Sequence, residues 1–179
     1  MTTTETTATE TTVTGERADL LESLAKQRFF LRHTARDLND EQAAQRTTVS
    51  ELSIGGLIKH VMTVERMWVS FILEGPSAMP SWSDPAALEH HANGFRMFAG
   101  ETLAGLLDEY DVVARRTDEL VRTLPDLDAT QPLPEAPWFQ PGTRWSARRV
   151  LLHIVAETAQ HAGHADIIRE ALDGAKSMG

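Results

Sequence analysis

Residues 147–172 read as one unbroken helix, and no other stretch narrows the fold as much. A segment of that length is too long for a strand buried in a sheet. Ser146 supplies the N-cap, Trp145 and Val150 are placed to staple across it, and Asp173-Gly174 ends it. At about 100° per residue, Val150, His153, Ile154, Glu157, His161, His164, Ala165, Ile168 and Leu172 share one third of the circumference. Arg148, Asp166, Arg169, Glu170 and Asp173 fall on the opposite arc, so Arg148 and Arg169 are read as solvated. Leu151 and Val155 also lie that way and blur the contrast. Three histidines and a glutamate therefore sit on the core face.

Three further helices are expected. The first runs from Glu16, through Leu20, Leu24, Leu31 and Leu38, to near Asn39-Asp40. The second is capped by Ser53, stapled by Leu52 and Leu57, and continues to about Glu74, with His60 and Trp68 on its apolar side. The third spans about Glu101 to Leu124. Residues 75–100 form a Pro- and Gly-broken connection with a short helical piece around Ala86 to His91. LPDLDATQPLPEAPWFQPG is a second irregular connection, whose Trp138-Phe139 pair either plugs a bundle end or contacts a ligand.

With no convincing alternating strand, the expectation is an all-α four-helix bundle with a long crossover connection. Residues 16–174 make up the bundle, residues 1–15 a Thr-rich tail and residues 175–179 a short C-terminal tail.

A glutamate in an apolar stripe needs a partner, because desolvating an ionised carboxylate costs several kcal/mol. Two partners are open. One is an inward arginine, Arg28 or Arg32 of the first helix. The other is a divalent metal: Glu157 and His161 stand at i, i+4, within reach of one cation, and His60 can close the set from another helix. Two imidazoles and one carboxylate leave positions open for water or substrate, as reactive metal sites do. His153 alone reads as a neutral core histidine, and His33, His90 and His91 read as surface residues.

The formal net charge of −9 argues against nucleic acid. No apolar run is long enough for a membrane span or a secretory signal, so the cytoplasm is the expected location. The absence of cysteine removes thiolate chemistry from the chain itself.

SIGGLIKHVMTVERMW together with LLHIVAETAQHAGHADIIRE resembles the DinB-like superfamily, in its actinobacterial branch. The resemblance implies a metal-binding four-helix bundle, often a homodimer, with His60, Glu157 and His161 as ligands to Zn or, alternatively, Ni or Fe. Many relatives have His where Glu157 stands, and the Glu form is similar to the mycothiol-dependent maleylpyruvate isomerase. Relatives often carry Gln at the position of His164, leaving it as a fourth ligand, a supporting partner or a proton shuttle.

The implied activity is thiol chemistry: a low-molecular-weight thiol, mycothiol-like, joined to a small electrophile by an S-transferase or used by an isomerase. His153 and His164 are the candidates to move protons, and Trp68, Trp138 and Arg144 the candidates to hold the ligands. Oxidation at a non-haem-iron type of site, and a non-catalytic metal-binding or metabolite-sensing bundle, are the competing readings.

Overall fold

The computed structural model describes residues 13–177, so most of the Thr-rich tail and the last two residues lie outside the described part. Six α-helices follow one another: α1 (Glu16–Thr34), α2 (Asp40–Ala44), α3 (Ile54–Glu74), α4 (Pro85–Asn93), α5 (Leu103–Thr123) and α6 (Ala147–Asp173). The long helices α1, α3, α5 and α6 form the bundle. α1 packs on α6 and α5, and α3 packs on the same two, so α1 and α3 lie diagonally opposite. The segment from α5 to α6 therefore crosses the bundle end, as the length of the second connection suggests.

The caps explain where these helices begin. Ser53 accepts from the Gly56 N–H at the start of α3, Thr102 from Gly105 at α5, and Ser146 from Arg149 at α6. Gly174 takes a left-handed φ of 78° and closes α6.

α1 stops at Thr34, earlier than the apolar spacing suggests. The chain turns there, with Asp37 at φ 60°, and Asn39-Asp40 begins a helix instead of ending one. Asn39 caps α2 through a reciprocal box with Gln42. The second connection also departs from expectation, because it contains two three-residue strands. β1 (Thr130–Pro132) and β2 (Arg144–Ser146) pair antiparallel, with Gln131 opposite Trp145. Three residues are too few for alternation to be visible in a sequence.

The core has two parts. One centres on Leu24, Trp68, Phe71, Val150 and Ile154, and the other on Leu31, Leu57, Ile58, Tyr110 and Ala165. Leu151 is fully buried despite its position on the charged arc of α6. Between α1, α3 and α5 lies a buried ionic group: the Arg28 guanidinium donates to Glu65 Oε1 at 2.5 Å and to Asp118 at 2.8 Å, and the Thr117 hydroxyl also donates to Glu65. Glu65 is completely buried. Arg169 is buried too, contrary to the surface reading. Its guanidinium reaches back to the carbonyls of Thr34 and Arg36, at the end of α1. Those carbonyls have no helical partner, so the arginine serves as their donor.

Candidate metal centre and its cavity

His60 stands on α3, and Glu157 and His161 stand one turn apart on α6. Where the two helices pack, their side chains converge. Nε2 of His60 and Nε2 of His161 each lie 3.3 Å from the same oxygen, Oε1 of Glu157. The three donor atoms all fall within 4.8 Å of one another. His60 and His161 are buried, and the Glu157 side chain is 23% exposed.

Two distances decide what the cluster resembles. A charge-assisted N–H to carboxylate bond closes to about 2.7–2.9 Å. Ligands bound at about 2.0–2.1 Å to one tetrahedral zinc stand roughly 3.3–3.4 Å from each other. The two imidazole–carboxylate separations, 3.3 Å each, lie near the second figure, and all three donors lie within 4.8 Å of one another. Neither arginine considered for Glu157 reaches it: Arg28 is taken by Glu65 and Asp118, and Arg32 by Asp111. The carboxylate is left to the two imidazoles.

Metal binding needs an ionised carboxylate and neutral imidazole, and Glu157 and His60 are both shifted toward those forms. The contacts with His161 and then His60 hold the Glu157 carboxyl well below the usual carboxylate range. Burial pushes the His60 imidazole below its ordinary value, with Glu157 opposing. The ring orientations are also fixed. Phe95 stacks on His60 with centroids 3.8 Å apart, and Nδ1 of His164 lies 3.3 Å from Nδ1 of His161. His164 therefore stands behind a cluster residue, turned to the ring nitrogen that faces away from Glu157.

Phe95 owes its place to the glycine pair in SIGG. A methyl group added to Gly56 would collide with the Phe95 carbonyl, and one added to Gly55 would strike the Met97 thioether. The bare helix surface lets the connection after α4 lie against α3 and lay the phenyl ring over His60.

The triad borders a cavity of about 430 Å³, lined by Trp68, Trp82, Phe95, Trp138, Phe139 and Trp145 among others. Trp68 and Trp145 stack at 5.0 Å, and His153 meets both rings edge-on. Burial lowers the His153 pKa. Trp138 is 58% exposed and packs edge-to-face on Trp82, while Phe139 packs on Trp145. That pair thus does both things the sequence left open, closing the bundle end and facing the cavity.

Of the candidate ligand-holding residues, the structure brings Trp68 and Trp138 to the cavity. It does not bring Arg144, which is exposed and bonded to Thr130 on the neighbouring strand. Arg148 is engaged by Glu16 and Asp128.

Four ring-bearing residues of the lining escaped the sequence reading: Trp82, His91, Phe95 and Trp145. His91 is solvent-exposed, as expected, yet its ring stands 5.5 Å from that of His60. Trp145 carried a signal as a staple residue, and its position just before α6 points it toward Trp68. Nothing in the 75–100 segment marks Trp82 or Phe95 beforehand, because their placement depends on α3.

Among solved structures, a conserved protein of locus from Enterococcus faecalis shares the fold, with a TM-score of 0.67 at 13% identity over 91% of this chain and 100% of that one. No curated protein matches. Residues 19–174 match the family described as mycothiol-S-transferase. That span reaches from α1 through the end of α6, most of the chain, so the chain belongs to the mycothiol-S-transferase family.

Proposed function

We propose that this protein is a metal-dependent S-transferase that joins mycothiol to a small electrophile, with His60, Glu157 and His161 as the metal ligands. The observation that supports it most is the placement of three donor atoms within 4.8 Å at the head of an aromatic cavity, in a member of this family. A divalent cation held there, Zn²⁺ by the nature of the donors, would lower the pKa of a thiol from about 8.5 and raise the thiolate fraction at neutral pH.

The chain's own residues do the rest. His153 lies one turn before Glu157 on α6 and lines the same cavity. Its place in that wall, with burial favouring the neutral form, makes it the candidate to accept the thiol proton. The sulfur then forms a bond to the electrophilic carbon, and the leaving group departs with the electron pair of the bond that breaks. His164 holds the His161 ring, and Phe95 covers the His60 ring from water. Arg144 has no part at the start of the reaction unless the strand loop moves, because Thr130 holds it outside the cavity. Among the described residues no helix is long and apolar enough to cross a membrane. The cytoplasm is the location we assign, because the proposed reaction needs a reduced thiol pool. A homodimer is the assembly we assign to it.

The test combines metal analysis of the purified protein with loss of mycothiol in the presence of 1-chloro-2,4-dinitrobenzene. One equivalent of metal, lost in His60→Ala, Glu157→Ala and His161→Ala together with thiol consumption, is the expected result. Full metal content in those variants overturns the ligand assignment. Metal without thiol consumption overturns the transferase reading.

A further inference from the structure

A second cavity, of about 480 Å³, borders the aromatic one, and His60, Val64, Met67, Trp82 and His91 belong to the walls of both. The two lobes thus meet beside the metal cluster, and their chemistry differs. Lys59, Thr63, Arg66, Asp84, Asn93 and Glu101 give the second lobe charged and hydrogen-bonding groups of both signs. Lys59 pairs with Glu101 at 2.6 Å and Arg66 with Glu109 at 2.5 Å, so these heads are held along its wall.

In the aromatic lobe, among the described residues, no lysine or arginine lines the wall, and Glu157 is the only acid. Arg149 is engaged over the Trp145 ring and does not line it.

We propose that the lobes divide the two substrates. The polyhydroxylated body of the thiol lies in the lobe of Lys59 and Arg66, and the electrophile is an uncharged, flat aromatic molecule held between Trp68, Trp82, Trp138 and Trp145. This rests on the S-transferase reading and adds the substrate class.

Three physical points carry it. Aromatic walls favour a flat ring through offset and edge-to-face contacts. An anionic substituent entering the same walls gives up hydration with no cationic side chain to meet it, and a cationic one meets only Glu157, which His60 and His161 already hold. A sugar-like body, by contrast, needs many donors and acceptors, which only the second lobe offers. A dicarboxylate finds no cationic side chain in the aromatic lobe.

The test uses the metal-loaded full chain and equilibrium calorimetry without turnover, the two naphthalene probes being titrated into protein saturated with mycothiol so that the thiol, and not a carboxylate, takes the open position on the cation. The probes are 2-acetylnaphthalene, its near-isosteric anion 2-naphthoate, and mycothiol. The ketone is expected to bind at least about tenfold more tightly than the carboxylate. Trp138→Ala, at an exposed position that tolerates truncation, should weaken the ketone about tenfold and leave mycothiol within about twofold. Arg66→Ala should do the reverse.

Equal or tighter binding of 2-naphthoate overturns the uncharged electrophile. Loss of mycothiol binding in Trp138→Ala, or of ketone binding in Arg66→Ala, overturns the division while thiol transfer itself still stands. A protein that binds the ketone as expected but neither binds nor consumes mycothiol overturns the transferase reading and the thiol half of the proposal together.

Discussion

The Nδ1 atoms of His161 and His164 lie 3.3 Å apart, one turn along the same helix. For Nε2 of His161 to be a ligand, its Nδ1 carries the hydrogen and donates to His164. His164→Ala removes that acceptor without removing a ligand. Metal affinity should fall about 10- to 100-fold, with unchanged helix content by circular dichroism. A competition titration against a chromophoric chelator measures it, and an unchanged affinity would show that the contact orients nothing.

The Gly56→Ala substitution sets two effects against each other. Alanine favours a helix by about 1 kcal/mol over glycine, yet its methyl group would meet the Phe95 carbonyl, a backbone atom that cannot swing aside. The collision should win. Thermal melting is expected to show a lower Tm, and metal dissociation should quicken as the phenyl ring leaves His60. A raised Tm would mean that the connection after α4 yields easily.

Glu65 should be among the costliest side chains to truncate. It is fully buried and holds Arg28 and Thr117. Glu65→Ala leaves the guanidinium with Asp118 alone, and breaking such a pair costs about 3–5 kcal/mol. The double variant Glu65→Leu, Arg28→Met should recover most of that loss, since no buried charge is then left unpaired. Urea unfolding of the three proteins gives the comparison.

Acid should weaken the metal-free chain through His153. Burial lowers its pKa from the ordinary 6.5. The unfolded chain thus takes up a proton that the native chain refuses, and stability falls as pH drops from about 6.5 toward the folded value. Above 6.5 this group contributes no slope. Melting in the presence of chelator, from pH 8 to pH 5.5, should be flat and then decline, and His153→Phe should reduce the decline. An identical pH profile for the variant would place the acid sensitivity elsewhere.

The bundle was largely legible because periodic burial and capping are local. Ser53 and Ser146 mark α3 and α6 where the structure has them, and the arc containing Glu157 and His161 is the arc that meets His60. What escaped depends on contacts between distant segments. Arg169 lies on the polar arc of an isolated helix, but the end of α1 covers that arc and draws the guanidinium to its carbonyls. Glu157 and Glu65 both needed partners, and only the three-dimensional packing of α1 decides that Arg28 belongs to Glu65. Asn39 was readable as the start of α2 from the glutamine three residues on, had the end of α1 not been extended over it. The aromatic wall was readable only as composition, since Trp82 and Phe95 come from a stretch whose course α3 determines.

The small β1–β2 ladder fixes both ends of the segment that carries Trp138 and Phe139, at Pro132 opposite Arg144. Because β2 runs directly into α6, with Ser146 as its cap, and Trp145 stacks on Trp68 of α3, the ladder ties that segment to the two helices that carry the triad. Exchanges at the exposed Trp138 would therefore alter the cavity wall while the ends of the segment stay in register with the triad, whereas exchanges at Leu133 or Phe139 would also disturb the core they pack against.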